Sequence, residues 1–267
     1  MATPEPLPLP TPEPAPATET DSGQTEAPDV FGTLATLTPI DEIVVVIPAN
    51  NEEELLGGCL TALEIAMRVV TAESVAVPTV RVVLVLDSCT DASAAIAARW
   101  PAVEVITAQF RNVGQARAFG VGHALRLSSA SPDRVWIANT DADSQVPPHW
   151  IARQLAIARS GIRLMIGSVR PDPRDLTPAQ RELWTHRHPV ETATKRIYGA
   201  NLGVRADGYL AVGGFPAIIE HEDVVLVDRL HRHGVSGTVS HSCWVQTSAR
   251  IVGRTPGGFA AHVRENY

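Results

Sequence analysis

Apolar and polar positions fall in alternating blocks along this chain. Glu42-Ile-Val-Val-Val-Ile47 is a short β-branched run that ends at Pro48 and a polar turn, the pattern of a strand buried on both faces. Leu55, Leu56, Cys59, Leu60, Leu63 and Met67 then recur at helical spacing, with Glu52, Glu53 and Glu54 expected in the first helical turn, where the dipole favours acids. The unit repeats. Val80 to Leu86 reads as a second strand, Asp87 to Asp91 as a turn and Ala92 to Trp100 as an Ala-rich helix. Val103 to Ala108 is a third strand and Gly114 to Ser128 a helix with Phe119, Val121, Leu125 and Leu127 among its apolar positions. Arg134 to Ala138 is a fourth strand, running into Asn139-Thr-Asp-Ala-Asp-Ser144. Strands alternating with helices imply an α/β fold with a doubly wound, mostly parallel central sheet.

Beyond Pro147 the alternation loosens into a mixed α+β half. Ile151 to Arg159 reads as a helix, Leu164 to Val169 as a strand, and Pro178 to Arg196 as a helical stretch interrupted at Pro189. A short helix near Asp207 to Val212 and a stronger one from Glu222 to His233, closed by Gly234, precede strands near Val235 to Val239 and Cys243 to Thr247. At the other end, residues 1–39 alternate Pro with small and acidic residues and cannot bury enough apolar surface to offset their ordering entropy. A disordered tail is expected there, with a Pro-rich docking ligand as the alternative.

Charge and cysteine content narrow the class. The net charge is −7, but Glu5, Glu13, Glu19, Asp21, Glu26 and Asp29 all lie in the tail; the remainder holds 23 acids against 22 bases. That balance, with an aromatic content of 5%, gives no reason to expect nucleic acid as a partner. Cys59, Cys89 and Cys243 are odd in number and scattered, so neither a disulfide framework nor a zinc site is indicated. The longest aliphatic run, Ile43 to Ile47, is too short to cross a bilayer, and the amino terminus lacks the basic and apolar regions of a secretion signal. No integral membrane segment and a cytoplasmic location are expected.

Open parallel sheets bind ligands beyond the carboxyl ends of their strands. Pro48-Ala-Asn-Asn-Glu52, Asp87-Ser-Cys-Thr-Asp91, Arg111-Asn-Val-Gly114 and Asp141-Ala-Asp143 all follow strands and should converge on one crevice. Asp91 alone reads equally as a helix cap. Asp141 and Asp143 are sharper, because two carboxylates one residue apart suit Mg²⁺ or Mn²⁺ and can direct the ion at a diphosphate.

These motifs, in this order and spacing, resemble glycosyltransferase family 2 with the GT-A fold. The likeness continues through Tyr198-Gly-Ala-Asn-Leu-Gly-Val-Arg205, Val212-Gly-Gly-Phe215 and Glu222-Asp223, and covers about residues 42–250. It implies a nucleotide-sugar-binding half over 40–146 and an acceptor-side half over 147–267. By residue, it implies that Pro48, Ala49, Glu52, Asp87, Gly114, Arg117, Asp141 and Ala142 border the donor. Asp143 and Asp141 would hold Mn²⁺ or Mg²⁺, with His241 as a third ligand in competition with His221 or no histidine. Asp223, beside Glu222, matches the general base of inverting members. Trp150, Tyr198, Asn201, Gly214, Phe215 and His221 are candidates for the acceptor side, the acceptor being a small molecule or glycan. Thr247-Ser-Ala-Arg250 and Gly253-Arg254 offer hydroxyls and bases that either grip the diphosphate or solvate a surface loop.

Two departures from the family stand out. Leu86 replaces the first of the paired acids that often follow the second strand, leaving Asp87 alone. The membrane helices of processive members are missing, which favours single transfers to a soluble acceptor. Two other functions share this chemistry: a sugar-phosphate nucleotidyltransferase, against which stands the acidic loop after the first strand, and an inactive nucleotide-sugar-binding protein, against which stand both acidic motifs.

Overall fold

The computed structural model describes residues 39–73, 76–187 and 196–250. The acidic tail, the break expected at Pro189 and the Gly253-Arg254 pair lie outside the described residues. Strand β1 (Glu42–Ala49) is followed by helix α1 (Leu56–Glu73), β2 (Thr79–Asp87) by α2 (Ser93–Ala97), and β3 (Val103–Ala108) by α3 (Val113–Leu127). Then come β4 (Val135–Asn139), β5 (Ser144–Gln145), α4 (Trp150–Arg159), β6 (Leu164–Pro171) and α5 (Pro178–Arg187). The described chain closes with β7 (Leu202–Arg205), α6 (Ala206–Ala211), α7 (Glu222–Arg232) and β8 (Gly237–Thr247).

One sheet carries these strands in the order β3-β2-β1-β4-β7-β6-β8-β5. From β3 to β4 all pairings are parallel; β7 is antiparallel to both β4 and β6, β8 is parallel to β6, and β5 is antiparallel to β8. The β1 run is buried on both faces because alternate residues serve different layers. Ile43, Val45 and Ile47 join the core with α1 and α4, while Val44 and Val46 join the core with α3 and α7. Gly120 lets α3 lie close on the sheet: a Cβ there would stand 2.7 Å from Val46 Cγ1 and 2.9 Å from Val85 Cγ2. Among the described residues no helix is long and apolar enough to cross a membrane.

Several local expectations are corrected. Helix α1 starts at Leu56, so Glu52, Glu53 and Glu54 form the turn before it, and Glu52 is buried. The Glu52 carbonyl accepts from Leu55 and Leu56 N–H while its own N–H donates to Ser93 Oγ at 3.0 Å, tying the turn to α2 and not to a continuing helix. The short β7 was not expected at all, since four residues containing Gly203 show no alternation; pairing with Trp136–Asn139 creates it. Conversely, the two strands expected after Gly234 are halves of a single β8. Its register against β6 jumps between Gly167 and Val169, so residues 241–244 bulge out and imitate a break. Helix α5 opens on a reciprocal cap in which Thr177 N–H donates to Gln180 Oε1 and Gln180 N–H to Thr177 Oγ1.

Candidate functional site

The loops leaving β1, β2 and β3 are laced together at the carboxyl ends of their strands. Asn50 Nδ2 donates to the Asp87 carbonyl at 2.7 Å, Thr90 N–H to Asn51 Oδ1 at 2.8 Å, and Ala92 N–H to Glu53 Oε2 at 2.8 Å. Asp91 accepts from Glu53 and Ser93 N–H, so its carboxylate is spent inside this lacing. Asp87 does more. Its carboxylate accepts from the backbone N–H of Phe110, Arg111 and Asn112 at 2.6 to 3.0 Å, fixing the loop that starts α3. Asn112 then caps α3 by accepting from Gln115 N–H.

Among the described non-glycine residues, four have left-handed backbone: Asn51, Ser88, Arg111 and His221. The first three sit in the loops after β1, β2 and β3, and His221 immediately precedes Glu222 at the start of α7. Such conformations cost energy outside glycine and persist where surrounding bonds over-determine them, which is typical of binding rims.

Beneath this rim lies a chain of alternating acids and guanidinium groups. Arg117 is 1% exposed; its Nη2 reaches Asp141 Oδ1 at 2.5 Å, its Nε reaches Glu222 Oε1 at 3.1 Å, and its Nη1 donates to the Thr140 carbonyl at 3.4 Å. Arg250 grips Glu52 with both terminal nitrogens at 2.7 Å and reaches Asp143 Oδ2 at 3.0 Å. Asp143 Oδ1 also accepts from Thr247 Oγ1 at 3.2 Å. Asp223 stands next to Glu222 and accepts from Gly199 N–H at 2.6 Å and Val224 N–H at 2.8 Å. Acids from β1, β4 and α7 loops thus meet through two arginines, one on α3 and one after β8.

The remaining expected residues divide into rim and core. Tyr198 is half-buried and His221 exposed, but Trp150 and Asn201 are fully buried, with Trp150 Nε1 donating to Asn201 Oδ1 at 3.0 Å. Asn201 Nδ2 holds the Ser168 and Cys243 carbonyls, a use that packs β6 against β8. Phe215 packs edge-on against Tyr209 in the core, and Gly214 has left-handed backbone against the same Tyr209 ring. Pro48 is half-buried, Ala49 is 2% exposed and Ala142 also lies in the core. Gly114 makes room for the loop before α7, since a Cβ there would stand 2.1 Å from the Pro216 carbonyl oxygen. His241, in the β8 bulge, bonds Ser168 Oγ through Nδ1 at 3.1 Å, whereas Asp143 is met by Thr247 and Arg250.

The sequence reading missed the two arginine pairings. Arg117 carried a signal, for it shares one helix face with Gly114, Val121 and Ala124, and a charge on a core face needs a partner. The Arg250 pairing joins residues 198 positions apart, and nothing local announces it.

Burial pushes the Asp223 and Glu222 carboxyls above the usual carboxylate range, with Arg117 opposing. Asp143 rises further, to about 7, through burial and then the neighbouring Asp141 charge. Asp143, Glu222 and Asp223, buried acids that resist ionisation, fit a divalent cation: their oxygens are hard ligands, and with Glu52 and Asp141 they outnumber Arg117 and Arg250. Among the described residues, no three His, Cys, Asp or Glu side chains are gathered closely enough to hold a metal by themselves.

Comparison with known proteins bears on the fold and the family. The mannosyltransferase PcManGT from Pyrobaculum calidifontis, solved with GDP-Man and Mn²⁺, is 18% identical with a TM-score of 0.56, over 87% of this chain and 64% of that one. S. aureus TarS 1-349, solved in complex with UDP, is 15% identical with a TM-score of 0.55, over 78% of this chain and 61% of that one. The chain thus spans less than two thirds of the length of these neighbours, and at such identities the likeness establishes the shared GT-A fold. Among curated proteins no match is found. Residues 44–212 match the family model described as Glycosyl transferase family 2, which is most of the described chain, and the protein belongs to that family.

Proposed function

We propose that this protein transfers a sugar from a nucleotide-diphosphate sugar to a hydroxyl of a small-molecule or glycan acceptor, with inversion and with Mn²⁺ or Mg²⁺ as cofactor. The observation that carries the reading is the chain of bonds from Asp141 through Arg117 to Glu222, which brings the Asp141-Ala-Asp143 motif and the Glu222-Asp223 motif to one rim although they are some eighty residues apart. Asp143 and Asp141 would hold the cation, which supplies positive charge to the departing diphosphate. The loops after β1, β2 and β3 would take the nucleoside.

Asp223 suits the base. Burial raises its proton affinity above that of an exposed carboxylate, and the Gly199 and Val224 N–H groups fix its orientation. Glu222, spent on Arg117, fixes the helix start and does not move the proton. Tyr198 precedes Gly199, whose N–H bonds Asp223, and His221 lies just before the Glu222-Asp223 pair; both are assigned to the acceptor side.

The test separates binding from transfer. Asp143→Ala should abolish metal-dependent binding of nucleoside diphosphate in calorimetry, whereas Asp223→Asn should keep that binding and lower turnover by about a hundredfold or more. Transfer at the parental rate by both variants would sink the assignment.

A further inference from the structure

We infer that Arg250 is an internal counter-ion that occupies the carboxylate pair Glu52 and Asp143 in the metal-free protein and is displaced when a divalent cation binds. The inference rests on the metal role proposed above for Asp143, and extends it to a residue with a different part: competition with the ion.

The geometry supports competition over simple cooperation. A single guanidinium bridges two carboxylates, with two bonds of 2.7 Å to Glu52 and one of 3.0 Å to Asp143 Oδ2. The Asp143 oxygens are thereby all engaged, because Oδ1 takes Thr247 and Ser144 hydroxyls. A cation bonded to Asp143 Oδ2 would stand beside the guanidinium charge on that same atom, and the two positive charges would repel. Arg117 cannot substitute as the counter-ion, since it is spent on Asp141 and Glu222. Without Arg250, Glu52, Asp141 and Asp143 would repel one another.

The structure also provides a way out. The backbone before Arg250 is pinned: Asp175 Oδ2 accepts from Ser248 Oγ at 3.1 Å and from Ala249 N–H at 2.8 Å, and Arg250 N–H donates to Ser248 Oγ. The side chain is longer and less constrained, and it is 25% exposed, so the guanidinium can swing toward solvent about a fixed Cα. Beside it, a cavity of about 290 Å³ lined by Leu55, Gln145, Asp172, Thr247 and Asp143 gives an ion access to the Asp143 carboxylate.

The full chain, free of nucleotide, is titrated with Mn²⁺ alone, and bound and free ion are separated by electron paramagnetic resonance. Arg250→Met, which keeps the stem and removes the charge, should bind Mn²⁺ about ten-fold more tightly than the parent, the scale of one charge-assisted pair. Asp143→Asn should remove that binding in both backgrounds. Equal or weaker binding by Arg250→Met, with Asp143→Asn still abolishing it, overturns the competition and leaves the metal assignment standing. Binding that survives Asp143→Asn overturns the metal assignment, and this inference with it. A second measurement needs no variant: saturating Mn²⁺ should speed phenylglyoxal modification at Arg250, read by mass spectrometry, while buried Arg117 stays unmodified. Unchanged labelling of Arg250 on adding Mn²⁺, in a protein that binds the ion, also overturns it.

Discussion

Asp143 illustrates how a functional acid is costly to hold. Its carboxyl is pushed from 3.8 to about 7 by burial and by Asp141. An acid with a raised folded pKa holds its proton to higher pH in the native state than in the unfolded chain, so its contribution to stability falls as pH rises from about 3.8 to about 7. Asp143→Asn should therefore raise the melting temperature of the metal-free protein by several degrees at neutral pH, and the gain should vanish below pH about 3.8, as scanning calorimetry across pH would show. Arg117 behaves in the opposite way. Arg117→Met leaves Glu222 buried without its cation and should cost about 3–5 kcal/mol, measured by urea unfolding. Asp87 was expected to border the donor, and its oxygens hold three backbone N–H groups of the next loop. Asp87→Ala should lower stability by about 2–3 kcal/mol and loosen nucleotide binding together, because the loop that frames the crevice loses its anchor.

Helix α3 positions more of the site than any other element. Its first turn abuts the loop before α7 at Gly114, its third residue pair places Arg117 between two motifs, and its middle presses on β1 and β2 at Gly120. Gly120→Ala pushes a methyl into Val46 and Val85 and should destabilise by about 1–3 kcal/mol in denaturant unfolding, with a parallel loss of nucleotide affinity as α3 shifts. Helix α4 and the β6-β8 pair depend on a different junction. There Trp150 Nε1 and Asn201 satisfy one another inside the core, which is why an aromatic and an amide expected at the acceptor side are buried. Both are fully buried, and Asn201 Nδ2 joins the β6 and β8 backbones.

Across the fold the two halves of the chain meet at Arg117, which bonds Asp141 from the first half and Glu222 from the second. A double-mutant cycle with Asp141→Asn and Glu222→Gln should show a coupling of about 0.5–3 kcal/mol in stability, although the positions lie far apart in sequence. Additive effects would mean that Arg117 does not couple the two acids. What could be read from the residues in order was whatever is local: β-branched runs, helical spacing, polar turns after strands, and the acidic motifs. Strands β1 to β4 and helices α1, α3, α4 and α7 were legible for that reason, since hydrophobic periodicity is set within a few residues. The start of α1, the existence of β7, the unity of β8, the Asp87 clamp and the Arg250 pairing were not. Each depends on a partner contributed by a distant segment, and such a partner exists only once the sheet has closed and placed its loops side by side.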